Sequence, residues 1–326
     1  MSALIDEHIP VEPKAAFLTA LAAKGETVEE IGFFAGELRA RCIHPPIDPK
    51  LRHQVILDVC GTGGDRLNTF NISTTVAFIA ASAGIAVAKH GNRAVTSQSG
   101  SADVLEALGV PIDLAPEQAA QALRDHQFAF FFAPKYHPSF KHIASARRLC
   151  ADRGQRTVFN ILGPLLNPAQ PSAQLVGVPS ANLCEPMGRV LQALGVRRAM
   201  VVSGRVEAAW LDELSIWGEN MIAEFYQDRA FMAGMQALRG FPFQSASLAD
   251  LTGGDRQANA ETVRRLLRSQ ERGPKRDAVL LNAGAALFVA GKTSSILEGW
   301  DLAADLIDSG KAAQKLEDIR QCSAAN

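Results

Sequence analysis

The sequence predicts an α/β protein built around a largely parallel sheet, and three observations lead to that fold class. From Val55 onward, short β-branched runs alternate with Ala- and Leu-rich helical stretches, the order expected of strands joined by crossover helices. Gly109 and Gly195 each follow a leucine-spaced helix and precede a Val that begins an extended segment. The run "VILDVC" at residues 55–60 is continuously apolar, as in a strand that is buried on both faces.

Two amphipathic helices are predicted ahead of this region, within the first 41 residues. The first ends at Lys24-Gly25, and the second begins at a capping box formed by Thr27 and Glu30. The apolar stripe of the second helix comprises Ile31, Phe34, Ala35 and Leu38. Because two short helices cannot bury their apolar faces alone, we expect them to pack on another part of the chain or on another copy of it.

Later segments complete the predicted order of elements. The aromatic run "FAFFFAP" at 128–134 is far shorter than the ~20 apolar residues of a membrane span and favours a buried strand. The segment 137–154 is polar, basic and helical in period, and it interrupts the α/β alternation. The C-terminal third is predicted to be helical, with Gly291 and Gly310 as helix stops.

Composition excludes several classes of function. Hydrophobic residues make up 47% of the 326 residues and charged residues 21%, the balance of a folded globular protein. A net charge of -1 offers no polycationic surface for nucleic acid. The five cysteines are odd in number and lack CxxC spacing, which argues against a disulfide framework and a zinc site. No secretory signal begins the chain, so we expect a cytoplasmic protein without membrane or nucleic-acid partners.

The stretch "DVCGTGGDRLNTFNISTT" at residues 58–75 is the first candidate site. A predicted strand ends in glycines, and Asn71, Ser73 and Thr74 stand where the next helix begins. This order places backbone N–H groups beside a helix N-terminus, which suits a phosphate. A P-loop would need Lys after the last glycine, and a dinucleotide fingerprint would need Gly in place of Arg66. We therefore favour a phosphate site of another kind over a turn that binds nothing.

The segment "AVAKHGNRAVTSQSGSADVLEALG" repeats this design at residues 86–109. Lys89 and Arg93 could bind phosphate, and hydroxyl residues precede a helix with Asp103 in its first turn. His90 could instead be a structural histidine within a turn. Two anion-type loops so close in sequence suggest one ligand that carries several phosphates.

The adjacent carboxylates Asp212 and Glu213 follow another predicted strand, "VVSG". On spacing alone, such a pair is more often a solvated surface feature. Near a polyphosphate, however, the pair could bind Mg²⁺ together with phosphate oxygens, and Ser73 could supply a further oxygen.

Several motifs together resemble those of the anthranilate phosphoribosyltransferases, a family of nucleoside phosphorylase-like transferases. The resemblance spans about residues 15–316 and rests on "GTGGD", "TFNIST", "KHGNR", "SGSADVLEALG", "RTVFNILGPLLNP", "LDE" and "GPKRDAVLLNA". It implies a small helical domain of residues 1–47, completed by about 137–155. A hinge would join this domain to a large α/β domain of residues 48–136 and 156–326.

The resemblance also implies a reaction. The 5-phosphoribosyl group of 5-phosphoribosyl-1-pyrophosphate (PRPP) would pass to the amine of anthranilate, with Mg²⁺ as cofactor, in tryptophan biosynthesis. A homodimer is also expected from the resemblance. Two alternatives are a pyrimidine nucleoside phosphorylase, which "KHGNR" and "GTGGD" argue against, and a nucleic-acid-binding relative without activity. Intact Ser73, Arg147 and the acidic pair, together with near-neutral charge, argue against the latter.

Site residues follow from the resemblance position by position. The implied PRPP contacts are Gly61, Gly64, Asp65, Thr69, Asn71, Ile72, Ser73, Thr74, Lys89, His90, Gly91, Asn92, Arg93, Ala94, Val95, Thr96, Ser97 and Ser101. Anthranilate would contact Gly61, Asn92, Arg147 and His137, and Mg²⁺ would be held by Ser73, Asp212 and Glu213. The chain departs from the family pattern at Arg66, where glycine is usual, and at Ser203, where histidine is usual.

Overall fold

A computed structural model of the protein describes residues 1–94, 98–227 and 229–321. The helices are α1 (Ser2–Ile5), α2 (Val11–Lys24), α3 (Val28–Ala40), α4 (Pro49–Arg52), α5 (Ile72–Ser82), α6 (Ser101–Leu108), α7 (Pro116–His126), α8 (Ala133–Tyr136), α9 (Ala144–Asp152), α10 (Cys184–Ala193), α11 (Arg256–Leu267), α12 (Pro274–Val289), α13 (Ile296–Asp308) and α14 (Lys311–Gln321). The strands are β1 (Ile56–Gly61), β2 (Ala86–Gly91), β3 (Phe128–Phe132), β4 (Ala173–Gly177), β5 (Arg198–Val206), β6 (Ala209–Leu211), β7 (Glu219–Tyr226) and β8 (Ala230–Ala237).

The strands form one mixed sheet in the order β3-β2-β1-β4-β5-β7-β8, with β6 paired to β5. Neighbouring strands from β3 to β5 run parallel, and Gly61 of β1 lies in register with Gly177 of β4. The pairs that involve β6, β7 and β8 are antiparallel. The mostly parallel sheet predicted from the sequence is confirmed, and the antiparallel extension is an addition to that prediction.

Helices cover both faces of the sheet. Since successive side chains of a strand point to opposite faces, each strand contributes to two cores. Leu57 and Val59 of β1 belong to the core formed with α5 and α12. Cys60 belongs to a second core, shared with the N-terminal helices and α10. Although α5 and α12 are largely buried and apolar, no helix in the described ranges could span a membrane.

The N-terminal helices form as predicted. Thr27 Oγ1 accepts from the amide of Glu30 at 3.2 Å, and Glu30 Oε2 accepts from the amide of Thr27 at 3.0 Å. Helix α2 ends before Gly25, which has a φ of +84°. Glycines also follow the ends of α6, α10, α12 and α13, at the predicted positions 109, 195, 291 and 310.

The basic segment that interrupts the α/β alternation returns to these helices. Helix α9 packs against α2, and polar contacts to backbone carbonyls link the same regions. Lys14 Nζ donates to the carbonyl of His142 at 3.0 Å, and Gln155 Nε2 donates to the carbonyl of Thr19 at 3.2 Å. Residues 137–155 therefore add to the cover over the N-terminal helices, which cannot bury their apolar faces without a partner.

We call residues 212–215 the acidic arm. Three glycines at or near strand ends, Gly61, Gly177 and Gly204, leave room for this arm against the sheet, and we call them the glycine seat. A Cβ atom added to Gly177 would lie 1.5 Å from the carbonyl oxygen of Asp212, and one added to Gly61 would lie 2.5 Å from Asp212 Oδ2. At Gly204 an added Cβ would lie 2.5 Å from the amide nitrogen of Ser215. Since atoms cannot approach so closely, the arm can occupy this position only while these residues lack side chains.

The glycine seat predicts a specific effect on stability. We expect Gly177→Ala to lower the midpoint of thermal unfolding by several degrees, because the arm must shift to admit the new methyl group, at a cost of about 1–3 kcal/mol. Differential scanning calorimetry measures the change. Gly234→Ala in β8 is the matched control, since nothing lies within 4 Å of its added Cβ. Equal unfolding temperatures for the two variants would contradict the close packing of the arm.

Candidate active site

A cleft of about 700 Å³ opens at the carboxyl ends of β1 and β2. Ligands commonly bind at this edge of an α/β sheet, because loops from several strands converge there. The lining comes from residues 60–66, 68–74, 89–94 and 99–101, from parts of 147–161, and from Asp212 and Glu213. The fold thus brings the two glycine-rich segments, the acidic arm and the basic helix to one cavity.

The glycine-rich loop after β1 is joined directly to the acidic arm. Gly63 and Gly64 have φ angles of +71° and +87°, and the amide of Gly63 donates to Asp212 Oδ2 at 2.8 Å. Arg66 also lies in the left-handed region, with a φ of +62°. Because a side chain is disfavoured there, this backbone gives a physical reason for the glycine that the family resemblance implies at this position.

The N-terminus of α5 contacts the other carboxylate of the arm. Helix α5 begins at Ile72, and the amide of Ser73 donates to Glu213 Oε1 at 3.1 Å. A helix N-terminus favours such an anionic partner through its dipole and its free amides. Nearby, Asp65 Oδ1 accepts from the amide of Leu67 at 3.1 Å, whereas Asp65 Oδ2 is buried without a hydrogen-bond partner among the described residues.

Negative charge is concentrated in the arm without full compensation. Burial, followed by the nearby charge of Asp65, raises the pKa of Asp212 to about 7. Burial and then the charge of Asp212 raise the pKa of Glu213 well above its ordinary value. Glu213 is only 8% exposed, so the pair is not a solvated surface feature. A cation bound here would relieve the repulsion between these carboxylates.

The oxygen donors beside the arm suit magnesium. Ser73, Asp212 and Glu213 offer hydroxyl and carboxylate oxygens, the ligand types that Mg²⁺ prefers. Within the described part of the chain, no group of three or more His, Cys, Asp or Glu is arranged to hold a metal by itself. Since Mg²⁺ commonly uses one or two carboxylates and completes its shell with water and phosphate oxygens, the donors fit an ion that binds together with a phosphate ligand.

Lys89 lies in the floor of the cleft and is only 1% exposed. Its Nζ donates to the carbonyl of Val59 at 2.7 Å and to Ser73 Oγ at 3.4 Å. Burial lowers the pKa of the Lys89 ammonium, and the charge of buried Asp58 opposes that shift. Burial raises the pKa of Asp58 to about 6. Lys89 is therefore a fixed internal cation rather than a mobile surface one.

Arg93 has ion-pair partners on α6. It lies 3.0 Å from Asp103 Oδ1 and 3.1 Å from Glu106 Oε2. Asp103 Oδ2 also accepts from the amides of Ala94 and Gly100, both at 2.9 Å. These contacts tie the second glycine-rich segment to the start of α6, so a phosphate would have to compete with two carboxylates for the Arg93 guanidinium.

Arg147 extends from α9 into the cleft, and its guanidinium lies over two aromatic rings. Its guanidinium carbon lies 5.3 Å from the ring centre of Phe159 and 5.8 Å from that of Phe140. Among the described residues, none forms an ion pair with Arg147. An arginine stacked in this way keeps its N–H fork available for a carboxylate.

His90 and His137 pack against each other with ring centres 5.3 Å apart. Burial lowers the pKa of His90 to about 3 and that of His137 to about 4. Both imidazoles are therefore neutral at neutral pH. His137 is absent from the described residues that line the cleft and lies buried behind its wall.

The structure places most predicted site residues on the cleft. Those that line it are Gly61, Gly64, Asp65, Thr69, Asn71, Ile72, Ser73, Thr74, Lys89, His90, Gly91, Asn92, Arg93, Ala94, Ser101, Arg147, Asp212 and Glu213. Val95, Thr96 and Ser97 were also predicted to bind PRPP and lie outside the described residues. These positions are compatible with the predicted roles, which stay predictions.

The cleft also has lining residues that were not predicted. Arg156 and Asn160 face it from the segment after α9, and Arg156 Nη2 donates to the carbonyl of Gly64 at 2.5 Å. Both belong to the motif "RTVFNILGPLLNP", so this motif was the sequence feature from which their place at the cleft could have been predicted. Ser203 is fully buried in β5, and its Oγ has no partner among the described residues.

Comparison with known proteins shows the family. The sequence model described as "Glycosyl transferase family, a/b domain" matches residues 53–313. A curated relative from Acetivibrio thermocellus, named anthranilate phosphoribosyltransferase, is 47% identical over 306 residues, which cover 93% of this chain and 85% of the relative. This chain belongs to the anthranilate phosphoribosyltransferase family.

Solved structures of anthranilate phosphoribosyltransferases share the fold. The crystal structure of the Thermus thermophilus protein matches with a TM-score of 0.88 and 41% identity, over 98% of this chain and 92% of that one. The Saccharomyces cerevisiae protein, solved in complex with PRPP and Mg, matches with a TM-score of 0.83 and 27% identity, over 97% and 86%. The α/β fold and the family resemblance predicted from the sequence are confirmed.

The raised pKa of Asp212 predicts a gain in stability on neutralisation. Its folded pKa of about 7 lies above its ordinary value of 3.8, so the ionised carboxylate destabilises the fold above pH 7 and much less near pH 4. We expect Asp212→Asn to raise the unfolding temperature, and by more at pH 8 than at pH 5. Thermal unfolding with a metal chelator present measures this.

Asp301→Asn, at an exposed position, is the control for loss of a carboxylate. It should leave the unfolding temperature unchanged at both pH values. A lower unfolding temperature for Asp212→Asn at pH 8 would show that the carboxylate is not electrostatically strained.

Proposed function

We propose that this chain transfers the 5-phosphoribosyl group of PRPP to the amine of anthranilate, forming N-(5-phosphoribosyl)anthranilate and pyrophosphate in tryptophan biosynthesis. One observation carries the proposal: a single cleft combines two glycine-rich loops, a pair of strained carboxylates and an aromatic-stacked arginine. Membership of the anthranilate phosphoribosyltransferase family supports this reaction over a nucleoside phosphorylase or a nucleic-acid-binding protein.

Magnesium would be held by Ser73, Asp212 and Glu213, with PRPP supplying further oxygens. The yeast relative solved with PRPP and Mg supports this cofactor. When bound, Mg²⁺ neutralises charge that accumulates on the departing pyrophosphate. The raised pKa values of the two carboxylates mean that protons compete for the site, so metal binding weakens as the pH falls below about 7.

The glycine-rich loops would bind the phosphate groups of PRPP. Pyrophosphate leaves from a sugar carbon that becomes oxocarbenium-like, so catalysis requires donors fixed where negative charge increases. Amides of the Gly63-Gly64 loop, the N-terminus of α5 and the Lys89 ammonium lie around one end of the cleft. Because Lys89 is already anchored to Val59 and Ser73, it needs little reorganisation during the reaction.

Arg147 would bind the carboxylate of anthranilate. Stacking on Phe140 and Phe159 orients the guanidinium, and a planar N–H fork matches a planar carboxylate. The aromatic amine is nucleophilic when neutral, so we propose that the reaction needs neither a covalent enzyme intermediate nor an obligatory catalytic base. His90, which lines the cleft, is neutral and adds no positive charge to it.

We further propose that the chain works as two lobes joined by a hinge. Residues 1–47 and about 137–155 would form the small lobe, and residues 48–136 and 156–326 the large one. Contacts of Lys14 with His142, and of Thr19 with Gln155, support a common body for the two small-lobe segments. Closure would then bring Arg147 and its bound substrate toward PRPP. An unchanged radius of gyration in X-ray scattering after both substrates are added would contradict this.

A cytoplasmic homodimer completes the proposal. The buried, unpaired thiols of Cys42, Cys60, Cys150 and Cys184 suit a reducing compartment. Phe17 and Phe33 on the N-terminal helices are 48% and 58% exposed, and a second copy could cover them. A monomeric mass in light scattering at micromolar concentration would contradict the dimer.

The activity has a direct test. Anthranilate is fluorescent, so its consumption in the presence of PRPP can be followed continuously. We expect Mg²⁺-dependent loss of the fluorescence, with pyrophosphate formed in equal amount, and no loss when a chelator removes the metal. Absence of turnover at high enzyme concentration, with a correctly folded protein, would overturn the proposed function.

The two substrates can be separated by mutation. We expect Arg147→Ala to raise the KM for anthranilate by roughly 10–100-fold, since a hydrogen bond to a charged group contributes about 1.5–3 kcal/mol. Binding of PRPP, measured by calorimetry, should stay within about twofold of the original affinity. Arg148→Ala is the matched control, because Arg148 is exposed and lies outside the described lining of the cleft. Equal effects of the two substitutions would contradict a carboxylate contact for Arg147.

A further inference from the structure

We infer that Asn282 and Asn220 are positioning residues that hold the acidic arm in register with the cleft. Each asparagine binds both backbone polar groups of one arm residue, directly after the carboxylates. The inference rests on the proposed function, in which Asp212 and Glu213 bind Mg²⁺ together with PRPP. Neither asparagine is among the described residues that line the cleft, so each would act through the arm and not on the substrate.

Asn282 fixes Leu214. The amide of Leu214 donates to Asn282 Oδ1 at 2.9 Å, and Asn282 Nδ2 donates to the carbonyl of Leu214 at 3.0 Å. A third bond runs from Asn282 Nδ2 to the carbonyl of Ala278 at 2.9 Å, within α12. The side chain of Asn282 is fully buried. Its carboxamide is held by α12 and in turn holds Leu214, the residue that follows Glu213.

Asn220 fixes Ser215 in the same way. The amide of Ser215 donates to Asn220 Oδ1 at 2.7 Å, and Asn220 Nδ2 donates to the carbonyl of Ser215 at 3.1 Å. Asn220 is fully buried at the start of β7. Two consecutive arm residues thus receive the paired bonds that a neighbouring strand would supply, although no strand is assigned to residues 212–215.

The acidic arm requires such restraint because its own charges oppose its position. The carboxylates of Asp65 and Asp212 repel each other, as do those of Asp212 and Glu213. The glycine seat gives the arm room against the sheet, and the amides of Gly63 and Ser73 bind the two carboxylates. The paired bonds of the two asparagines hold the backbone that follows, in a buried setting where an unsatisfied backbone group costs about 1–3 kcal/mol.

Mutation of Asn282 tests the inference through metal dependence. We expect Asn282→Ala to raise the Mg²⁺ concentration for half-maximal turnover by about 10–100-fold, the usual effect of removing a group that orients metal ligands. The affinity for PRPP at a fixed Mg²⁺ concentration, measured by calorimetry, should fall with it, because the two bind together. The KM for anthranilate should change by less than about twofold, since Arg147 lies on a different element.

Val279→Ala, on the same helix and also fully buried, is the control for simple loss of stability. It should lower the unfolding temperature while leaving the Mg²⁺ dependence unchanged. If Asn282→Ala does not fold, Asn220→Ser and Asn282→Asp are measured instead, and either should raise the Mg²⁺ concentration for half-maximal turnover. Folded variants with unchanged Mg²⁺ dependence would overturn the positioning role.

The original chain distinguishes the two hypotheses. If it shows no Mg²⁺-dependent transfer, the proposed function fails. If it is active and the asparagine variants keep its metal dependence, only the positioning role fails.

Discussion

The close contact between the acidic arm and the glycine seat is the constraint on which the rest of the site depends. Gly61 and Gly177 end neighbouring parallel strands; the backbone of Asp212 occupies the space that a Gly177 side chain would fill, and its carboxylate occupies the space beside Gly61. Because the arm sits so close to the sheet, its carboxylates reach the Gly63 amide and the N-terminus of α5. The absence of side chains at these two strand ends therefore determines where the carboxylates of the site lie.

This arrangement stores electrostatic strain in the free protein. Asp212, Glu213 and Asp65 lie together in a partly desolvated cleft, and the internal cation Lys89 offsets only part of their charge. A bound cation would relieve this excess of negative charge, and a phosphate ligand could then bind through that cation. Relief of this repulsion would add to the free energy of metal binding, a common relation between stability and function.

Local patterns in the sequence predicted much of the fold, because helix caps and glycine stops act within a few residues. The capping box of Thr27 and the phosphate-type loops after β1 and β2 are examples of such signals. Features set by distant partners were not predictable: the antiparallel strands β7 and β8, the burial of Lys89 and the ion pairs of Arg93. Asn282 lies within the quoted motif "GPKRDAVLLNA", but neither its contact with Leu214 nor that of Asn220 with Ser215 was predictable, since buried and exposed asparagines look alike in one sequence.

The contacts of the acidic arm also bear on the order in which parts of the molecule fold. Gly63 and Asp212 are 149 positions apart in the chain, Ser73 and Glu213 are 140 apart, and Leu214 and Asn282 are 68 apart. Contacts between residues so far apart in sequence form late in folding, because the entropy cost of closing the long intervening loops comes before the contacts contribute any free energy. A partly folded or truncated chain can contain both glycine-rich loops and still lack the carboxylates. Binding of the proposed Mg²⁺ would therefore require that these long-range contacts have formed.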